Sequence, residues 1–402
     1  NQIELRDQSV LPIADVGTGS GAILNSGATQ TNALRFVTLA GDTMVGGSGR
    51  WDVRANPTAS FVGNNFKLTK TNANEVWLVD LGDTGLGDIE VGQGLLGVQG
   101  TTLLGNPASV LSLLPGTTLR LAGTDTNALD KLLSLANASV TMSVGSNVWV
   151  GTVTLSLTNT FGIDSQFEIA GDVSGSGSIL KSGPGTLILN GSNNFTGYLL
   201  VDTANTTASA GAVRLASSDV LRNAASPILI RNSSSGSSTL QFDAGITVTQ
   251  VVSIAGRNGT VPALQNFGGS NHLANGFLLA SAGANYYIQS DSGTLNLGGA
   301  MPLSTSGGAR TLTFLGAANL LISGVITNGS GGGTVSVAKS GAGTLTLNNT
   351  NTYTGGTSLA QGLIQVNSSR AFGSGSITAN PGTNTARIVL ADGVTVTNSI
   401  VA

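Results

Sequence analysis

The feature that most constrains this 402-residue chain is that it repeats itself. The clearest unit reads Lys339-Ser340-Gly341-Ala342-Gly343-Thr344-Leu345-Thr346-Leu347, then Asn351-Thr352-Tyr353-Thr354-Gly355-Gly356, then Gln361-Gly362-Leu363-Ile364-Gln365-Val366. A second copy lies 158 residues earlier (181 to 339). It runs Lys181-Ser182-Gly183-Pro184-Gly185-Thr186-Leu187-Ile188-Leu189, Asn193-Asn194-Phe195-Thr196-Gly197-Tyr198, and Gly211-Ala212-Val213-Arg214-Leu215. Downstream, Phe242 to Gln250 aligns with Leu390 to Asn398. A third, worn copy starts at Lys70, 111 residues before the second (70 to 181). It passes Val76-Trp77-Leu78 and reaches Gln93-Gly94-Leu95-Leu96-Gly97-Val98-Gln99 at the position of Gln361 to Asn367. Units of this kind cannot bury their apolar face alone, so neighbours stack, and added length adds coils rather than cores. The copies fall near 70–113, 167–254 and 320–402 at unequal spacing. One continuous solenoid over 1–402 is therefore expected, with the motif as one element among diverged coils.

Within each copy apolar residues alternate with Thr or Gln, as in Leu345/Leu347, Ile364/Val366, Ile246/Val248 and Val394/Val396. Period two means strands with one buried face. Gly, Asn and Ser bound each strand, because they tolerate left-handed backbone and satisfy turn amides with their own side chains. A coil of ~20 residues predicts on the order of 20 coils. At ~4.8 Å per stacked strand they would make a rod roughly 90 Å long. The stretch Asn127 to Leu135 has helix propensity, but it lies between strand-like runs at Thr117–Leu121 and Ser139–Met142, and continuous coiling is the simpler reading.

Composition fits stacking and closes several function classes. Charged residues are 9% of the chain, and like charges stacked every ~4.8 Å would repel, whereas Asn, Ser and Thr can form ladders. Hydrophobics at 40% and a net charge of −3 exclude wholesale disorder. That charge, with 4% aromatics, lacks the basic stripe of a nucleic-acid binder. Every apolar run is broken within a few residues, so no membrane-spanning helix is expected. With no Cys and His272 as the single histidine, disulfides, thiol nucleophiles, His triads and multi-His metal sites go too. The chain opens Asn1-Gln2-Ile3 without Met and stops in mid-pattern at Ala402, which raises the expectation that it is part of a longer product.

The run Lys339 to Val366 resembles the autotransporter-associated β-strand repeat, roughly K-x-G-x-G-T-L-x-L-x-x-x-N-x-Y-T-G-G-T-x-V-x-x-G-x-L-x-V. Lys339, Gly341, Gly343, Thr344, Leu345, Leu347, Asn351, Tyr353, Thr354, Gly355, Gly356, Thr357, Gly362 and Val366 match, with Leu359 in place of Val. The copy at Lys181 departs at Tyr198, where the pattern has its second Gly, and through the insertion Thr203 to Ala210. Gly49-Arg50-Trp51-Asp52-Val53-Arg54, and Asn106-Pro107 ahead of Val110-Leu111-Ser112-Leu113, also resemble the opening part of large bacterial surface proteins rich in this repeat. The resemblance implies an all-β, right-handed parallel β-helix, exported and displayed on the bacterial surface or secreted, often as an adhesin passenger or stalk. The family's autotransporter members carry a C-terminal membrane barrel, which this chain does not show before Ala402, and the export route stays open.

Parallel β-helices also host polysaccharide lyases and hydrolases, whose chemistry needs paired carboxylates, so acidic clusters are candidate sites. Asp80, Asp83, Asp88 and Glu90 are the densest and form a weak Ca²⁺ candidate; they lack the regular G-G-x-G-x-D spacing of calcium solenoids, and turn or surface roles are favoured. Asp164, Glu168 and Asp172 read as surface decoration, with Glu168 between Phe167 and Ile169 pointing outward. His272 is placed in a loop as a solvated residue. Lys70, Lys181 and Lys339 share one motif position and are expected to cover a strand with the aliphatic stem while the ammonium reaches water. Tyr353 and Phe195 are expected to pack on neighbouring coils, and Trp51, Trp77 and Trp149 form no sugar-binding row. The triplets Asn194-Phe195-Thr196 and Asn258-Gly259-Thr260 arise by composition. No catalytic, cofactor-binding or firm metal residue emerges, and no cofactor is expected.

The reading is a non-enzymatic structural β-solenoid of the bacterial surface: a stalk, fibre or surface-layer scaffold. An adhesin passenger and a polysaccharide-processing enzyme are the alternatives. Its expected partners are surface polysaccharide or itself. Ile3-Glu4-Leu5-Arg6-Asp7 would blunt one stack edge, whereas Val394-Thr395-Val396-Thr397 leaves the other bare and suited to head-to-tail stacking.

Overall fold

Alternating strands punctuated by turn residues give parallel pairing when each strand finds its partner one coil away, and that is the architecture found. The computed structural model describes residues 11–13, 22–55, 59–123, 128–202, 210–218, 220–231, 238–257, 259–280, 283–301, 307–328 and 330–401. Among these residues there is no helix, and parallel strands stack as a β-solenoid of about 15 turns. Residues in register lie from 19 apart (Thr344 and Leu363) to 29 apart (Leu200 and Leu229). The coils are thus mostly longer than the ~20 residues expected, because their turns hold more residues, and the coils are correspondingly fewer.

The chain forms two compact units, Asn1–Leu180 with Gly185–Gly197, and Lys181–Pro184 with Tyr198–Ala402. In the first, one eight-stranded parallel sheet runs through Ile23–Asn25, Thr43–Gly47, Leu68–Lys70, Ile89–Val91, Val110–Leu113, Leu132–Ala136, Val153–Ser156 and Val173–Gly175. Its inward side chains form columns: Leu68, Ile89, Leu111, Leu133, Val153 and Val173 succeed one another in register, all buried. In the second unit the corresponding sheet passes through Ser270–Leu273, Thr294–Leu297, Asn319–Ile322, Thr344–Leu347 and Gly362–Val366. Leu273, Leu297, Ile322, Leu347 and Val366 make one of its buried columns. The six side chains expected inward, Leu345, Leu347, Ile364, Val366, Ile246 and Val248, are all buried.

Leu132–Ala136 is a strand, and Leu129 bridges Trp149, so coiling continues through the segment whose propensity favoured helix. Stacking of Leu133 between Leu111 and Val153 overrides that propensity. Val394 to Thr397 departs from expectation. It lies outside the strand ladder, and Val394 and Val396 are only half-buried. Ile3 to Asp7, Asn127, Thr203 to Ser209, Asn258 and Ala402 lie outside the described residues.

Candidate functional site

Side-chain parity decides where each polar residue of the repeat goes. Lys70 follows Leu68 on the same face of its strand and sits in register with Val91, an inward position. Lys339 stands in register between Phe314 and Leu359, again inward. Lys70, Lys181 and Lys339 are accordingly buried, and the expectation that their ammonium groups reach water is wrong. The aliphatic stem does cover core, but the head finds carbonyls instead of solvent. Lys70 Nζ donates to the carbonyls of Thr71 (2.7 Å), Asn72 (2.8 Å) and Gln93 (3.2 Å). Lys181 Nζ donates to those of Ser182 (2.8 Å), Gly183 (2.8 Å) and Ala210 (2.9 Å). Lys339 Nζ donates to Gly341 and, at 3.3 Å, to Gln361. In each copy the last acceptor belongs to the next coil and precedes a glycine of positive φ: Gly94 (70°), Gly211 (61°) and Gly362 (86°). The left-handed turn aims that carbonyl at the ammonium, a conformation a residue with Cβ adopts at a cost. The worn copy at Lys70 therefore performs the same act as the two clear ones.

Lys131 makes a fourth buried ammonium, which motif reading missed. It donates to the carbonyls of Leu104 (3.0 Å), Asn106 (3.0 Å) and Leu86 (3.4 Å), so it staples preceding coils. The signal was present in the alternation Leu129, Lys131, Leu133, Leu135, whose inward parity includes the lysine. Burial lowers Lys70, Lys131 and Lys339 to about 8 from the ordinary 10.5, so they remain largely charged at neutral pH. Arg257, buried and pushed down to about 10 by desolvation, likewise gives its guanidinium to the carbonyls of Val261 (2.8 Å), Pro262 (3.0 Å) and Ser238.

The motif's asparagine is a second staple. Asn193 Oδ1 accepts the N–H of Val173 at 2.8 Å, and Asn351 Oδ1 accepts that of Ile326 at 2.8 Å, each from the preceding coil. Phe195 and Tyr353, equivalent by the repeat, are buried, and the Tyr353 hydroxyl lies 2.6 Å from Thr357 Oγ1.

The acidic residues do not converge. Asp80 accepts from the Thr101 N–H at 3.3 Å, Asp83 from Gly85 at 3.0 Å and Asp88 from Val110 at 2.9 Å, while Glu90 pairs with Lys67 at 2.7 Å. Among the described residues no three His, Asp or Glu gather as a metal site. Asp164 and Asp172 are exposed, and Glu168 points outward to accept from Asn190 at 2.9 Å. His272 lies in the strand Ser270–Leu273, between Asn271 and Leu273, which are buried. The loop expected there is a strand because Leu273 enters a core column and fixes the parity. Trp51 and Trp149 are indoors, donating to the carbonyls of Gly46 and Lys131, each at 2.8 Å. Trp77 lies on the outer side over Gly97, beneath the Arg50 guanidinium at 4.7 Å, and Arg50 and Arg54 hold the buried Asp52 at 2.9 and 2.7 Å.

Residues 179–215 and 337–366 match the family model described as passenger-associated-transport-repeat, the same two stretches that carry the clear lysine and asparagine staples. The chain is also 28% identical over 345 residues, 70% of its length, to a protein of Brucella suis biovar 1 (strain 1330) named adhesin BmaC autotransporter. It spans 9% of that relative's length. No solved structure matches. Both matched stretches lie on the β-solenoid, and each carries one copy of the repeat.

Proposed function

We propose that this chain is a non-enzymatic stalk segment of a surface-displayed passenger, a scaffold that carries its outer faces beyond the cell. The observation that supports this most is the employment of the repeat's buried polar groups. Lysine and asparagine of the motif both spend their hydrogen bonds on main-chain groups, and in each copy one of these bonds spans adjacent coils. A buried ammonium costs several kcal/mol unless it is fully bonded, and here the bonds made are coil-to-coil staples rather than a reactive centre. Such staples suit a chain that must fold progressively and resist shear outside the cell, because each coil is clamped to the next. An adhesin role is the second reading, favoured by the name of the relative.

The test is to fuse the chain ahead of an outer-membrane barrel in a bacterial host. Antibody labelling of intact cells, with the labelled chain resistant to added protease, is the expected result. Retention inside the envelope, or display as a protease-sensitive chain, would refute the scaffold role. Turnover of a polysaccharide by the purified chain would refute its non-enzymatic character.

A further inference from the structure

The eight-stranded sheet of the first unit carries on its outer side a groove of about 510 Å³, far from the buried staples in chemistry and use. Its floor follows from strand parity. Glu90, Ser112, Ser134 and Thr154 stand in register on successive strands and form one row. Two residues earlier on each strand path, Asp88, Val110, Leu132 and Thr152 form a second, with Lys67 closing one end. Between the fully inward columns, Ser112, Ser134, Val110 and Leu132 are only half-buried, so they face the groove. Among the described residues none holds the hydroxyls of Ser112 and Ser134, while the Thr154 hydroxyl touches Ser174 at the long distance of 3.5 Å.

We infer that this groove binds a linear, uncharged polysaccharide laid across the strands, along the stacking direction. The floor presents hydroxyls every ~4.8 Å, the strand spacing, which is close to the advance of one unit in an extended glycan. The Val110 and Leu132 row offers an apolar strip to the C–H face of sugar rings while the Ser112 and Ser134 row meets their hydroxyls, the mixed lining typical of a small-molecule site. Charge selects the class. Lys67 is already paired to Glu90, and with Asp88 the lining holds two carboxylates against one ammonium, so an acidic glycan meets a net negative groove. The carboxylate oxygens left over from Lys67 and from the Val110 N–H remain acceptors for sugar hydroxyls. This site is independent of the stalk role: a stalk can lack it, and the groove can bind whether or not the chain is displayed.

Calorimetry on the purified 402-residue chain, with cellohexaose and mannohexaose as neutral probes and polygalacturonate as the acidic one, tests the assignment. Saturable binding of at least one neutral probe, and none of polygalacturonate, is expected. Ser134→Trp, which fills the groove from its outer face, should weaken binding at least tenfold, and Ser112→Ala with Ser134→Ala, which removes the hydroxyls without filling the groove, should weaken it several-fold; circular dichroism and melting check that each variant is folded. Glu90→Gln frees Lys67 and should admit polygalacturonate. No binding of either neutral probe, preference for the acidic one in the unmodified chain, or unaltered affinity in a folded Ser134→Trp variant would overturn the proposal. A chain that is displayed and protease-resistant yet binds no glycan would sink the groove and leave the stalk standing.

Discussion

Lys339 occupies a place in a core column that Phe314 and Leu359 fill in the adjacent coils, which makes its ammonium the least expected group inside this fold. Its donors satisfy the Gly341 and Gln361 carbonyls, so Lys339→Met keeps the stem and leaves those buried acceptors unpaired. A loss of about 1–3 kcal/mol follows, read from urea denaturation at pH 7.5. The same lysines set a pH dependence. Burial lowers Lys70, Lys131 and Lys339 from 10.5 to about 8, so between those values the unfolded chain binds more protons than the folded one. Stability from these groups is therefore present in full above 10.5 and declines as pH falls through about 8. The urea midpoint should rise between pH 8 and pH 10, and Lys339→Met should rise less. A midpoint independent of pH in the unmodified chain would mean that the ammonium groups keep their ordinary affinity for protons. That a lysine goes indoors was written in the sequence as parity, since Val335, Val337 and Lys339 alternate inward as one series. The reading failed at the rule that ammonium groups seek water, which the carbonyls of two glycine-bearing turns override.

At the scale of the strand, parity made most of the fold legible and turn geometry set what was not. Leu345 with Leu347 and Ile364 with Val366 could be assigned inward from alternation alone, since a slip of one residue would expose both. His272 was misplaced because Gly268 and Gly269 suggested a loop, yet only Ser270 separates Gly269 from a buried Asn271 that accepts the Ile246 N–H at 2.7 Å. Carboxylate convergence is a matter of which turns lie side by side, and spacing in sequence does not report it. Glycine inside a strand carries its own information. Gly97 stands in register with Trp77, and a Cβ at Gly97 would lie 2.1 Å from the indole. The ring has room to lie flat only because that side chain is missing, and Arg50 then covers its other face. Gly97→Val should lift the indole off the strand and break the Arg50 contact, at a cost of about 1–3 kcal/mol for the overpacking. Tryptophan emission shifted to the red in a variant that keeps its β circular dichroism is the expected result; an unchanged spectrum would show that Trp77 can be accommodated elsewhere at no loss of burial.

Across the whole molecule, the described parallel strands pair with strands of adjacent coils, on both sides inside a sheet and on one side at its edge, so an interaction lost in one coil is felt first by its neighbours. In such one-dimensional stacks stability is close to a sum of coil and interface terms, and opening can be local. Leu345 tests this, because it is fully buried and lies in register between Leu320 and Ile364. Leu345→Asp sets an unpaired carboxylate into both interfaces at a cost of several kcal/mol. Amide exchange should accelerate strongly in Asn319–Ile322, Thr344–Leu347 and Gly362–Val366, the three strands that share the column. In Leu132–Ala136 and Val153–Ser156, which pair only with each other and with further coils of the first unit, it should hardly change. Uniform acceleration throughout the chain would instead reveal a single cooperative fold, in which the staples of Lys70, Lys131, Lys181 and Lys339 join all coils into one transition. The local outcome has a functional reading for a stalk. Damage confined to three coils leaves the remaining ladders closed, so a surface scaffold built this way yields in segments and keeps the outer faces of its intact coils in place.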